Sequence, residues 1–481
     1  MSSVHDRGRV DGLGDLSEFR REFYRCLPLR ADALFELTDA VLCADGPVST
    51  LVGLSLAVEH RRGHGGLYDG LACGQVETGR LRRTMAGLSL PRDDAGRIVL
   101  AVDVSSWLRP DGACCAERLF CPTPAVRGKG KAQMVPGWPY SFVAALETGR
   151  TSWTAILDVQ RLGPGDDATE VTAAQVRDIV DRLRAAGQWS SGDPEILVVF
   201  DAGYDMSRLT FLLADLPVDL LGRVRSDRVF RSHSPVHAPH TGGRPAKHGA
   251  KFKLSNPATH PEPTTQTTTD TTHYGTARAS AWNRLHPRLT RRAAWKPHEG
   301  PLPIIECSII RLRVDRLPGD RNPTPVWLWY SRPQPLTPAE VDRLWHAFLR
   351  RFDLEHTFRF LKQTLGWTRP RFRTPDQGDR WTWLIITAHT QLRLARHLTT
   401  DLRRPWEKRV TEPRKLSPAR IRRGFRNLRP NTALPASAPK PTHPGPGRPP
   451  GTPNTHRATR HNIGKTTTPA TTTNNNNPPT G

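Results

Sequence analysis

The spacing of hydrophobic positions changes along this chain, and the changes divide it. From residue 15 to residue 90, Phe19, Phe23, Leu27, Leu34, Phe35, Leu37, Val41 and Leu42 recur at roughly helical spacing, and short helices are predicted over 51–58 and 66–73. The basic stretch Arg80-Leu81-Arg82-Arg83 closes this region. It reads either as a helical DNA-binding module, although it carries no clear helix-turn-helix signature, or as a cap packed on the next domain.

From residue 97 the period shortens. Residues 98–102 form an apolar run ending in Asp103, and 141–146 and 154–162 predict paired strands around the turn Thr148-Gly149-Arg150. A helix is predicted over 169–186. Residues 196–200 have the unbroken apolar character of a buried central strand, which ends in Asp201. A helix over 204–213 and a strand over 218–224 follow. Strands, a helix and then strand-helix-strand make a mixed α/β sheet.

Residues 226–300 lose the pattern and are rich in His, Pro, Thr and Arg, with a near-polar tract at 264–272. They predict an insertion, partly β, with mobile loops. Strands over 304–314 and 326–330 return to the main domain. Thr337-Pro338-Ala339-Glu340 has the form of a capping box, with Leu336 and Val341 placed as a hydrophobic staple. One helix is expected from there to about Leu365, stopped by Gly366, and a second over 381–398. The expected organisation is a helical N-terminal region (1–92), a sheet domain in two parts (93–225 and 304–400) split by the insertion (226–303), and a basic, low-complexity, largely disordered tail (401–481).

Charge narrows the partner. The 481 residues carry a formal net charge of +24, and residues 401–481 hold 16 Lys and Arg against 3 Asp and Glu. Such an excess points to a polyanion, most often nucleic acid. No run of apolar residues is long enough to span a membrane. The first residues lack the regions of a secretory signal, and the seven cysteines read as reduced thiols, so a cytoplasmic location is expected.

Candidate chemistry lies in three carboxylates. Asp103 and Asp201 end strand-like runs, and Glu355 lies on the predicted helix with Phe348, Arg351 and Lys362. At about 100° per residue these four fall within about 60° of one another on a helix. Three oxygen ligands suit Mg²⁺ or Mn²⁺, and two such ions at one site assist in-line phosphoryl displacement without a covalent nucleophile. Asp158, Asp205 and Asp353 are local rivals, and Glu355 could instead be a surface carboxylate paired with Arg351 or Arg359.

Phe348-x2-Arg351-x3-Glu355-x6-Lys362 resembles the Y-x2-R-x3-E-x6-K signature of DDE transposases of bacterial insertion sequences, with Phe in place of Tyr. The surroundings of Asp103 (Ala-Val-Asp-Val-Ser-Ser) and Asp201 (Val-Phe-Asp-Ala-Gly-Tyr-Asp) resemble that family's two catalytic aspartates. The resemblance covers about 95–400 and implies a ribonuclease-H-like core. It implies catalytic and metal-binding roles for Asp103, Asp201 and Glu355 with Mg²⁺ or Mn²⁺, two ions in all. Arg351 and Lys362 would contact phosphates, and Phe348 would pack against DNA or beneath the site. The implied activity is cleavage at terminal inverted repeats and strand transfer into target DNA, by a homodimer on paired ends, without a membrane, at the bacterial nucleoid.

Weaker signals remain. Arg244 and Lys247, in Gly243-Arg-Pro-Ala-Lys247, form a basic loop suited to DNA phosphates or to a narrow minor groove, and Gly447-Arg-Pro-Pro450 is similar. Trp282, Trp295, Trp327 and Trp329 suit core packing better than stacking on a base. Cys114, Cys115 and Cys121 lack zinc-site spacing, and His233, His237 and His240 suit a solvated loop. Two rival readings stand beside the transposase: a ribonuclease-H-like nuclease without strand transfer, and a non-catalytic DNA-binding protein or decayed transposon copy.

Overall fold

Alternation of apolar residues builds the middle of the molecule. The computed structural model describes residues 2–110, 112, 115–123, 133–149, 151–234, 246–292, 295–317, 322–412, 415–440 and 451. Strand β1 (Val99–Leu108) pairs antiparallel with a long strand β3 (Met134–Leu146), which is lined on its other side by β2 (Leu119–Pro122) and β4 (Thr154–Arg161). Strands β5 (Ile196–Phe200) and β6 (Val218–Val224) then add on the far side of β1, both parallel to it. An antiparallel meander followed by two parallel crossovers is the ribonuclease-H-like arrangement. Every residue of β5 is buried, as its unbroken apolar run requires. The strand containing Asp103 does not end there: it continues to Leu108, because Ser105, Trp107 and their neighbours keep pairing with β3.

The insertion extends this same sheet instead of leaving it. It contributes β7 (Val229–Arg231), β8 (Lys251–Lys253), β9 (Thr265–Thr271) and β10 (Gly275–Pro287), and the chain returns to the main domain through β11 (Cys307–Val314) and β12 (Val326–Tyr330). Strand β12 pairs antiparallel with β6, and the order runs on through β11 and β10 to β7 and β8, giving a sheet of 12 strands. The near-polar tract, which carries no apolar alternation of its own, forms strand β9. Threonine is β-branched and suits an extended edge, and polarity is tolerated there because β9 pairs on one side only, with β10.

Helices cover both faces. On one lie α1 (Ser2–Arg25), α2 (Ala31–Cys43), α3 (Leu51–Ser55), α4 (His64–Cys73) and α5 (Thr78–Gly87), sharing a core with the sheet. The N-terminal region therefore packs on the sheet domain. The other face is covered by α6 (Ala168–Ala185) and α7 (Met206–Leu212). Helix α8 (Pro338–Arg350) starts at the expected capping box, with the Glu340 N–H donating to Thr337 and the Thr337 N–H to Glu340. It does not run on to Leu365. The chain tightens at Arg351, where bonds from Arg351 N to Phe348 O and from Leu354 N to Arg351 O replace the four-residue pattern, and α9 (Phe352–Gln363) begins. No Gly or Pro marks this junction, so helical spacing alone reads straight through it.

Helix α10 (Pro375–Leu394) packs against α2, and α11 (Pro418–Leu428) against both. The segment after 401, read as a disordered tail, is therefore folded as far as residue 440. Ile421 and Phe425 are buried, Arg422 donates to the carbonyls of Val41 and Gly46, and Arg426 pairs with Glu59. A basic helix gave no hint in its composition of acidic and carbonyl partners some 380 residues away. Residues 441–450 and 452–481 lie outside the described residues, as does most of the simple-sequence stretch. Among the described residues no helix is long and apolar enough to cross a membrane.

Gly366 ends the α9 turn with φ of 73°, and a Cβ there would lie 2.6 Å from the Val48 carbonyl oxygen. Gly366→Ala should therefore cost about 1–3 kcal/mol, read as a lower urea midpoint; an unchanged midpoint would mean the close approach does not exist.

Candidate active site

Register places the first two carboxylates. Strands β1 and β5 pair in parallel at Val99 with Leu197 and Ala101 with Val199. Side chains alternate along a strand, so two residues further on Asp103 and Asp201 stand level, on the same sheet face as those pairs. Ala101, Val199 and Trp107 share the core beneath the helical face, and Asp103 belongs to that side.

The third comes from α9, which is docked across β3 and β4. The Phe358 ring meets Phe142, the register partner of Asp103, at 5.0 Å, and the hydroxyls of Thr357 and Thr154 bond at 2.9 Å. This seating turns Glu355, in the first turn of α9, toward the two aspartates. Arg351 ties the three together. Its guanidinium lies 2.9 Å from Asp103 Oδ2, 3.6 Å from Asp201 Oδ2 and 3.3 Å from Glu355 Oε1. Side-chain exposure rises from 4 % at Arg351 to 20 % at Asp103, 39 % at Asp201 and 49 % at Glu355, so the cluster has a closed floor and an open mouth.

Burial dominates the electrostatics. It pushes the Asp103 carboxyl up to about 6, against the pull of Arg351 and the Val104 N–H, while Asp201 and Glu355 add to the rise. Asp201 Oδ1 and the Tyr204 hydroxyl are buried without a hydrogen-bond partner, and burial lifts the Tyr204 hydroxyl well above its usual value. Lys362 sits half-buried with its ammonium 5.6 Å from the Trp367 ring; burial lowers its pKa and the charge of Asp103 opposes that.

The donors fit a hard divalent cation. All three are carboxylates, one oxygen of Asp201 is buried and unpaired, and the site suppresses ionisation of Asp103 when only one guanidinium faces three acids. Among the described residues no three His, Cys, Asp or Glu side chains are already gathered as a metal cage. Here Arg351 occupies the centre, so binding would require its guanidinium to give way.

The rival acids are committed elsewhere. Asp353 is buried and bonded to Arg350, Asp158 is held by Arg82 and Arg182, and Asp205 caps α7. Phe348 is 3 % exposed, with the Arg351 guanidinium 6.0 Å from its ring, so it lies beneath the site. Phe352, absent from the helical-face reading, is exposed with its ring 5.3 Å from that guanidinium, an outcome of the turn at Arg351. Tyr204 was legible only as the third residue after Asp201. Lys247 is exposed in the insertion and donates to the Leu302 carbonyl. Arg244 lies outside the described residues, as do His237, His240 and Cys114. Trp282, Trp295, Trp327 and Trp329 are all buried in the core.

A sheet that sets carboxylates level on neighbouring strands beside a helix-borne acid is suited to phosphoryl transfer. The chain belongs to the DDE superfamily endonuclease family, whose model matches residues 22–288. That match includes Asp103 and Asp201 and stops before Glu355, which the fold alone places beside them. Enzymes of this superfamily are nucleases that act on DNA and generally use divalent metal ions. No curated protein is similar enough to the chain to match it.

The raised Asp103 pKa has a sign. The folded carboxyl binds its proton up to about 6, against 3.8 ordinarily, so this contribution to stability is full below about 4 and lost as pH rises through about 6. In metal-free buffer, wild-type stability relative to Asp103→Asn should fall by up to about 3 kcal/mol from pH 4 to pH 7, measured by denaturant titration. A pH-independent difference would contradict the shift.

Proposed function

We propose that the chain is a transposase of the bacterial insertion-sequence kind, cutting DNA at transposon ends and joining those ends to target DNA. The observation that carries this reading is the convergence of Asp103, Asp201 and Glu355 around Arg351, within a chain of the DDE endonuclease family. In this reading the three carboxylates hold the divalent ions, Mg²⁺ or Mn²⁺, two in all. Bound there, the ions supply charge neutralisation for the attacked phosphate and for the attacking and leaving oxygens.

The residues of the chain do the rest. Asp103, deepest and fixed by the Val104 N–H, is the rigid ligand, and Glu355, the most exposed, can adjust to the substrate. Once the carboxylates are neutralised, the Arg351 fork is free to pair with a phosphate, for which its planar geometry is suited. Lys362 adds a point charge behind Asp103, and Phe348 holds Arg351 from below. Water attacks first, breaking one P–O bond and leaving a 3′-hydroxyl. That hydroxyl then attacks a target phosphate, again exchanging one P–O bond for another. A homodimer on paired terminal repeats, acting on chromosomal DNA in the cytoplasm, completes the reading.

Two measurements test it. With a donor DNA carrying its own terminal repeats, Mg²⁺-dependent cleavage and joining should fall by about 10³-fold or more in Asp201→Ala and in Glu355→Ala. Cleavage that survives both substitutions would place the chemistry elsewhere, and cleavage without joining would make the protein a nuclease only. Independently of activity, Mn²⁺ should raise the melting temperature of the wild-type protein and not that of Asp201→Asn. Equal shifts in the two would remove Asp201 from the metal site.

A further inference from the structure

Many of the described arginines are ion-paired. Arg97 and Arg332 share Asp219, Arg208 bridges Asp167 and Glu170, and Arg177 holds Asp215. One cleft gathers several that are not. It has a volume of about 850 Å³ and is lined by Arg223, Arg225, Arg311, Arg313, His260 and Trp327. Only Arg225 has an acidic partner, Asp227; Arg223, Arg311 and Arg313 have no ion pair or side-chain hydrogen bond among the described residues.

Position makes this excess informative. The cleft reaches Ala202, the residue after Asp201. It is formed where β6 ends, β12 begins and β11 ends, and the antiparallel pairing of these strands brings all three to one edge of the sheet, the edge at which β5 delivers Asp201. Arg311 and Arg313 lie two apart on β11 and so project from the same sheet face, about 7 Å from one another along the strand. The Arg311 guanidinium is held in place by the rings of Trp282 and Trp327, at 5.3 and 5.8 Å, and its Nε is buried without a partner. His260 stacks on Phe252 and uses Nε2 on the Lys253 carbonyl, which leaves its buried Nδ1 unpaired toward the same cluster.

Cations held close together without counter-charge repel one another, and here the repulsion is felt: Arg311 is shifted below its usual pKa by burial and by Arg313, and His260 is lowered by burial and by both arginines. An arrangement that costs stability in the free protein and is relieved by an anion is a binding site for one. Arg223 stands on the sheet face of Asp201 and Arg311 and Arg313 on the opposite face, so the three straddle the sheet edge; that spread and the guanidinium chemistry favour an extended polyphosphate chain over a single small anion.

We propose that this cleft is a DNA-backbone site, in which Arg223, Arg311 and Arg313 take phosphates of the strand leaving the Asp201 side of the active site. The proposal rests on the DNA-cleaving reading above and adds the path of the substrate, around the sheet edge beside Asp201. The aromatic floor keeps Arg311 in place, while Arg223 and Arg313, which are exposed, make the first contacts.

The test is binding of the full chain to a labelled duplex of arbitrary sequence, followed by fluorescence anisotropy in metal-free buffer. The Arg223→Gln/Arg313→Gln double variant should bind at least about tenfold more weakly, and its slope of log affinity against log salt should be smaller by about 2. Arg313→Lys in place of Arg313→Gln should recover binding, since it keeps the charge. Lys408→Gln/Arg409→Gln, an equal charge change at exposed positions outside the cleft, should bind like wild type. Melting followed by circular dichroism checks that each variant is folded. Wild-type affinity in the cleft variant, or an equal loss in the control pair, overturns the cleft while leaving the catalytic reading intact. Failure of the wild-type protein to bind duplex overturns both. Metal-dependent cleavage that persists in Asp201→Ala overturns only the catalytic assignment.

Discussion

Three acids gathered at one sheet edge cannot all stay ionised without a cation among them, and Arg351 is that cation. Its guanidinium lies within 3.6 Å of all three carboxylates while being almost wholly buried. Such a group is expensive to bury unless its partners are in place, and the partners are equally expensive without it. The tightened turn between α8 and α9, the seating of α9 on Phe142 and Thr154, and the parallel pairing of β1 with β5 all serve this cluster. A displacement of any one of them would leave a charge unpaired in the interior.

This dependence explains how a site can be rigid and still ready for a metal. The carboxylates grade from the fixed Asp103 to the open Glu355, so the floor is set by the sheet and the mouth by a helix that begins at Phe352. Burial holds the Asp103 carboxyl above its usual range against the pull of Arg351, with a smaller push from Asp201 and Glu355. The chain belongs to the DDE endonuclease family, whose enzymes generally use divalent metal ions, and this donor set fits that chemistry.

The sheet joins what the sequence presented as separate pieces. Its 12 strands carry the active-site edge into the insertion without a break, so the arginine-lined cleft and Asp201 share one frame. On the sheet face that carries Asp103 and Asp201, the N-terminal helices, α10 and α11 lock together through buried ion pairs such as Arg20 with Asp39, and Arg429 with the same aspartate. The two ends of the chain hold each other against the helical face of the catalytic sheet.

Much of this was already written in local pattern. The strand ending at Phe200, the strand from Val218 to Val224 and the capping box at Thr337 each follow from spacing and composition within a few residues, where neighbours in sequence are neighbours in space. The acids Asp103, Asp201 and Glu355 could be singled out because strand ends and a cation-flanked helix face are local features. Which of the acids meet was decided by the tertiary structure. Helical spacing already set Asp353 on another face from Arg351 and Lys362, but only packing reveals that Arg350 holds it and that Arg82 and Arg182 had claimed Asp158. The same holds for the polar tract that became β9, the basic helix α11 folded onto α2, and the turn at Arg351. Each depends on partners far along the chain, and hydrophobic spacing carries no record of a hydrogen bond or ion pair made by residues hundreds of positions away.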